Sequence, residues 1–158
     1  MAAALVEMAA SFAPEQDRAD EVAARARELR RELLSLGERE LSSYAPVLEA
    51  LRLSRDDPSR AERGRAARWE AAAAPLEIAR ACSELATLGR EIASSGSPHL
   101  VGDALAGAEL AGASCRAAVR LVQLNLHDAP SDDPRVIESH DLWQSAPDSP
   151  APSAKDQS

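Results

Sequence analysis

Apolar residues along this chain recur in steps of three and four. The clearest series is Val22, Ala26, Leu29, Leu33 and Leu36, continued by Tyr44, Val47 and Leu51. That spacing lines up one face of a helix and predicts a long amphipathic segment over about residues 14–53. Pro46 falls inside it and, lacking an amide donor, must kink the helix or start a new one. An Ala-rich helical segment over 2–12 comes first and ends at Pro14. After the turn Arg55-Asp56-Asp57-Pro58-Ser59, Asp57 or Ser59 is placed to cap the next helix. This helix runs through Trp69, is interrupted at Pro75 and restarts toward Ile92. Ser94-Ser95-Gly96-Ser97-Pro98 stops it, with Gly96 suited to a left-handed terminal position. A last helix covers roughly 101–126. Its Gly102, Ala104, Ala106, Gly107, Ala108, Ala111 and Gly112 make sense if another helix backbone approaches closely. Residues 128–158 are rich in Pro, Ser and Asp and read as a disordered tail. The expectation is an all-α fold: a bundle of about five helices over 1–127, followed by that tail.

Composition agrees with helices. Aromatic residues make up 3% of the 158-residue chain, whereas strands draw on aromatic and β-branched side chains. A net charge of −8 argues against nucleic acid as a partner. Acid and base are interspersed, which reads as a solvated surface. Cys82 and Cys115 sit among apolar neighbours in helical stretches and read as buried free thiols. The opening MAAALVEMAASFA carries Glu7 and no basic start, and it is too short to span a bilayer. The expected location is therefore cytoplasmic, with no membrane association.

Few polar residues stand where the pattern does not want them. His99, His127 and His140 share no metal-ligand spacing with each other or with the cysteines, so no metal is expected. Asp103 lies in the first turn of the last helix, where free amides stabilise a carboxylate. Asn125, near the other end, reads as a terminal polar residue. Glu40 is different, because it falls at the centre of the apolar stripe, in line with Val22. A lone buried carboxylate is costly unless it is paired or hydrogen-bonded. One reading pairs it with an Arg from a neighbouring helix, and spacing alone favours this. The other puts it in a cleft as a general acid or base.

Three stretches resemble the cyclodeaminase/cyclohydrolase family, which comprises the C-terminal half of formiminotransferase-cyclodeaminase and stand-alone methenyltetrahydrofolate cyclohydrolases. Ala74-Pro75-Leu76-Glu77-Ile78-Ala79 is similar to the family's V-P-L-x-I/L-A, with Arg60 at the position of a preceding arginine. Residues 96–103 (GSPHLVGD) look like G-N-x-x-x-x-S-D. Residues 121–126 (LVQLNL) look like N-V-x-I-N-L. Upstream, YAPVLEALR (44–52) is similar to the segment after D-x-D-A-x-A-F/Y, which places Glu38 and Glu40 at the two acidic positions. The resemblance implies a homodimer acting on a tetrahydrofolate derivative, with no cofactor beyond that substrate. It implies Glu40 as the catalytic carboxylate and Glu38, Asp103, Asn125 and Arg60 as substrate-binding residues. The implied reaction is cyclohydrolysis or cyclodeamination, which makes the protein a hydrolase or an ammonia-lyase. The family's P-x-G-G-G-S loop precedes its first helix, whereas Met1 lies inside the matching helix, so the chain reads as N-terminally truncated. Ser97 and Leu121 replace the first Asn of two motifs. The rival reading is a non-catalytic, degenerate helical dimer without the glycine-rich substrate loop.

Overall fold

The computed structural model describes residues 1–13 and 16–146, with only the backbone described at positions 16 and 17. Among the described residues there are seven helices and no strand: α1 (Ala2–Ser11), α2 (Gln16–Ser43), α3 (Ala45–Arg52), α4 (Arg60–Ala71), α5 (Ala73–Ser95), α6 (Val101–Asn125) and α7 (Pro134–Ser145). They group into five arms, because single residues separate α2 from α3 (Tyr44) and α4 from α5 (Ala72), both still in right-handed helical dihedrals. The expected all-α bundle is what the chain forms.

Both breaks follow from proline. Pro46 occupies the first turn of α3, where its missing amide costs nothing. Pro75 also sits in a first turn, that of α5, but a single residue separates it from α4, so here the missing amide has a consequence. Its missing N–H leaves the Ala71 carbonyl without its ordinary helical donor, and the ladder resumes with Leu76 N–H donating to Ala72 O at 3.2 Å.

The centre of the bundle is the antiparallel pair α5 and α6, which α1 and α2 flank. The helices approach to backbone contact at Gly89. A Cβ built there would lie 2.9 Å from Ala108 Cβ and 3.1 Å from Ala104 O. Gly107 does the same for α1, where a Cβ would lie 2.8 Å from Val6 Cγ2 and 3.2 Å from Ala2 O. The small residues of α6 therefore serve two neighbours at once. Leu29, Leu85, Val6 and Val22 fill the core between α1, α2 and α5, and Val119, Val122 and Cys115 fill it toward the chain end.

Exposed ion pairs tie α2 to α5. Arg18 pairs with Glu91, Arg25 with Glu84 and Arg39 with Glu77. Both partners in successive pairs are spaced in multiples of seven, so they share one seam. Surface pairs of this kind contribute little stability each, about 0–1 kcal/mol. Arg18–Glu91 and Arg25–Glu84 step by seven residues on both helices and fit one antiparallel register; from Arg25 to Arg39 α2 advances fourteen residues while α5 advances seven. The charges that read as a uniformly solvated surface are thus partly organised.

Two expectations need correction. Gly96 is not left-handed: its φ is −86° and its ψ −167°. A Cβ there would lie 2.5 Å from Ile92 O, so glycine is required by close approach instead. The larger correction concerns the stretch from 128 onward. Residues 134–145 form α7, which packs across α5 and α6. Asp133 accepts a hydrogen bond from Arg135 N–H, and Pro134 opens the first turn. Leu142 and Trp143 pack with Ala79, Cys82, Cys115 and Val119. Arg120 stacks over the Trp143 ring at 4.8 Å, Glu138 takes a two-pronged bond from Arg80, and Arg135 donates to Trp69 O at 2.9 Å. The tail composition concealed a capped helix with two large apolar anchors. The rest of the expected tail, 147–158, lies outside the described residues.

Truncation after Asp133 should lower the melting temperature by several degrees, whereas truncation after Ala146 should leave α7 and its contacts intact. Thermal unfolding of both shortened chains checks this. At Gly89, alanine gains helix propensity, about 1 kcal/mol, but must push α5 off α6, and overpacking costs about 1–3 kcal/mol. Gly89→Ala should therefore destabilise. Gly37→Ala, where a Cβ meets nothing within 4 Å, should stabilise by up to about 1 kcal/mol. Denaturant unfolding of the two variants reads both signs.

Candidate functional site

Glu40 lies in the last turns of α2 and is half-buried. Its inward position follows from the stripe that also buries Val22, Ala26, Leu29 and Leu36. Among the described residues no cation pairs with it; the arginine beside it, Arg39, reaches Glu77 instead at 2.7 Å. Among the described residues, Ser43 Oγ alone donates to Glu40 Oε2, at a long 3.4 Å, while also bonding Glu40 O at 2.9 Å. Burial raises the Glu40 carboxyl above the ordinary carboxylate value, and the Ser43 hydroxyl only partly opposes this. The ion-pair reading of Glu40 is therefore absent from this chain's own contacts. A half-buried carboxyl with a raised pKa and no cationic partner keeps its proton to a higher pH than a solvated one, which suits proton transfer.

The other expected residues fall in different places. Glu38 is exposed on α2. Asn125, the last residue of α6, donates its Nδ2 to Ala71 O at 3.4 Å. This is the carbonyl that Pro75 leaves without a helical partner, so Asn125 closes the break between α4 and α5. Arg60 opens α4, and its Nη2 donates to Leu51 O at 3.3 Å across the α3–α4 turn. Asp103 is partly exposed in the first turn of α6 and makes no described hydrogen bond. The antiparallel register puts Glu40, Asn125 and Arg60 on the half of the bundle that holds both helix breaks. Asp103 is at the opposite end, roughly 33 Å from Asn125 along α6 at the ordinary helical rise. One chain alone cannot gather all of them around one small molecule.

Between these ends lies an apolar cavity of about 370 Å³ that no motif marked. Met1, Ala2, Leu33, Leu34, Ile78, Cys82, Leu110 and Ser114 line it, together with one charged residue, Arg30. Its residues follow helix-face spacing and so look like ordinary core in sequence. Leu33 places it on the same α2 stripe as Glu40, about two helical turns away. Cys82 is a free buried thiol, pushed up to about 11 first by burial and then by Cys115 beside it, so it is not a ready nucleophile. A second groove, of about 480 Å³ between α2 and α5, is lined by Arg25, Arg39 and Arg80 with Glu32, Glu77 and Glu84. Its cations are already consumed by carboxylates. No helix among the described residues is long and apolar enough to cross a membrane.

An all-helical bundle with a half-buried carboxyl that has no cationic partner, and an apolar cavity about two turns along the same helix, defines a class of small-molecule site without naming it. Comparison with known families does: residues 1–139 match the formiminotransferase-cyclodeaminase family, and the chain belongs to that family. The matched span runs beyond residue 127 and into α7. Among solved structures, the chain is similar to formiminotetrahydrofolate cyclodeaminase from Thermotoga maritima. Sequence identity is 22%, the match covers 92% of this chain and 74% of that chain, and the TM-score is 0.68. At that identity the likeness concerns the fold. No curated protein matches the chain.

Two predictions follow from this geometry. In the folded chain the Glu40 carboxyl binds its proton more tightly than in the unfolded chain. Its ionisation therefore opposes folding, with no penalty below the unfolded pKa and the full penalty above the folded one. Glu40→Gln removes that penalty. The melting temperature of the variant relative to the parent should be higher at pH 7 than at pH 3.5, as thermal scans at both values will read. Asn125→Leu leaves the Ala71 carbonyl unpaired and should cost about 1–3 kcal/mol. In a Pro75→Ala background, where residue 75 regains its amide, most of that cost should vanish in a double-mutant cycle.

Proposed function

We propose that this chain performs folate one-carbon chemistry as a formiminotetrahydrofolate cyclodeaminase or a methenyltetrahydrofolate cyclohydrolase, with Glu40 as the proton-transfer group. The observation that carries the reading is a half-buried Glu40 with a raised carboxyl pKa and no cationic partner, at the position where the family resemblance expects the catalytic carboxylate. Family membership over residues 1–139 supports the substrate class.

The chemistry suits one such carboxyl group. In cyclodeamination, N10 of the folate attacks the formimino carbon attached to N5. A ring closes, the bond from that carbon to the imino nitrogen breaks, and ammonia leaves. The leaving nitrogen must gain protons and N10 must lose one. In cyclohydrolysis, water adds to the methenyl carbon and one ring nitrogen is protonated as its bond breaks. A carboxyl group with a raised pKa serves as acid in one step and as base in the other. The apolar cavity along the same stripe offers the flat ring system a water-poor surface.

The second element of the reading is a homodimer. α6 presents Gly102, Ala106, Leu110, Ala113, Leu121 and Leu124 away from the core, with Leu124 67% exposed. Small residues on an uncovered helix face let another backbone come close, and the pattern suits a second α6 crossing near its middle. In an antiparallel pairing about a two-fold axis, Asp103 of one copy approaches the end of α6 that carries Asn125 in the other. That arrangement brings Asp103 toward Glu38, Glu40 and Arg60, which the single chain keeps apart from it.

The test is turnover. Conversion of formiminotetrahydrofolate or methenyltetrahydrofolate, followed by the methenyl chromophore, should fall about 100-fold or more in Glu40→Gln, the usual scale for losing a general acid–base, while the variant remains at least as stable as the parent. A Glu40→Gln variant with full turnover removes the catalytic assignment. A parent with no activity toward either folate, yet dimeric by light scattering, favours the non-catalytic dimer.

A further inference from the structure

The turn between α3 and α4 encloses a cleft of about 260 Å³ of which the folate reading uses one residue, Arg60. Arg55, Arg60 and Arg68 line it, against a single carboxylate, Asp57. Asp57 remains ionised but makes no described ion pair with any of them. Its Oδ1 accepts from Ser59 N–H at 2.8 Å and from Ser59 Oγ at 2.7 Å, and these bonds hold its carboxyl below the ordinary value. Arg60 spends one nitrogen on Leu51 O, and Arg68 spends one on Asp128 at 3.1 Å. The Nε of both is buried with no acceptor among the described residues. The guanidinium of Arg55 makes no described bond. Three cations thus converge with two buried donors unmet, and an unmet buried donor is unfavourable until something accepts from it.

Glycine keeps the cleft open. Gly64 is buried in the middle of α4, where glycine is a poorer helix former than alanine. A Cβ at Gly64 would meet only Arg68 Nη1, at 3.7 Å, so nothing in the packing forbids a side chain there. A larger side chain would project into the cleft.

We propose that this cleft is a binding site for a compact oxyanion, a carboxylate or a phosphate, held by Arg60 and Arg68 with Arg55 at its mouth. Guanidinium groups suit such oxygens because several fixed N–H donors face one planar or tetrahedral acceptor. The volume admits one such group with a few carbon atoms attached. The proposal stands on the geometry of α3 and α4 and holds whether or not the folate reading does. It deepens the expectation for Arg60 by adding Arg55, Arg68 and Gly64 and by naming the chemistry they take.

Isothermal titration of the full chain with inorganic phosphate and, separately, with glutarate tests it. The expected result is saturable binding of at least one anion at fixed ionic strength. Tighter phosphate binding points to a phosphorylated ligand, and tighter glutarate binding points to a carboxylate-bearing one such as the glutamate end of a folate. Arg60→Gln should weaken binding at least tenfold. Gly64→Val should abolish it without removing charge, with folding checked by circular dichroism. If Gly64→Val does not fold, Arg60→Gln carries the test. Arg31→Gln, which removes the same charge from the exposed face of α2, should change nothing. Equal weakening by Arg31→Gln, or no saturable binding of either anion, means a general basic surface or a cleft holding water only, and overturns the proposal. Folate turnover measured alongside is a separate readout: anion binding without turnover defeats the folate reading alone, and turnover without anion binding defeats this one alone.

Discussion

The contact on which the fold depends is the meeting of α5 and α6 backbones at Gly89, Ala104 and Ala108. A Cβ at Gly89 would come within 3.1 Å of the Ala104 carbonyl, so no other residue fits without moving a helix. This approach fixes the antiparallel register of the two central helices. Once it is set, Gly107 gives α1 a seat on α6, the α2 ion pairs find Glu77, Glu84 and Glu91, and Asn125 arrives beside the Ala71 carbonyl. Large side chains fill what remains, and Leu85 is fully buried there. Close packing of small residues gains little by transfer from water and much by excluding alternatives, because the contacts allow one register.

The site inherits its shape from a proline. Pro75 removes one amide from the α4–α5 junction, and the freed carbonyl recruits Asn125 from the far end of α6. The α3–α4 hairpin is held by this junction and by Trp69, whose Nε1 donates to Asp128 at 2.9 Å. Glu40 ends the apolar stripe of α2 in the same half of the bundle. There it lacks the arginine that would make it structural, since Arg39 is turned to Glu77. An apolar stripe, a misplaced carboxylate and a proline break together produce a protonatable group about two helical turns along α2 from an apolar cavity.

Much of this was legible in the sequence, and the limits have physical causes. Proline chemistry is local, so Pro46 and Pro75 announced both breaks. The steps of three and four from Val22 to Leu36 announced α2, and the small residues of α6 announced a close neighbour. Gly96 misled because a glycine required by a carbonyl 2.5 Å away looks in sequence like one required by a left-handed turn. α7 was missed because the Pro, Ser and Asp around it outweighed Asp133-Pro134 as a helix start and Leu142-Trp143 as anchors. The apolar cavity carries no signal, since a cavity and a packed core demand the same residues. The position of Asp103 relative to Asn125 is a matter of helix length, and sequence order alone does not say that they stand at opposite ends.

The most direct measurement is the titration of Glu40 itself. With carbon-13 introduced at glutamate carboxyl groups and Glu40→Gln used for assignment, NMR follows this one group with and without a bound tetrahydrofolate. The account predicts a midpoint above the ordinary glutamate value of 4.5 and a change in that midpoint when the folate is added. A midpoint at or below the ordinary value, unmoved by folate, would contradict it.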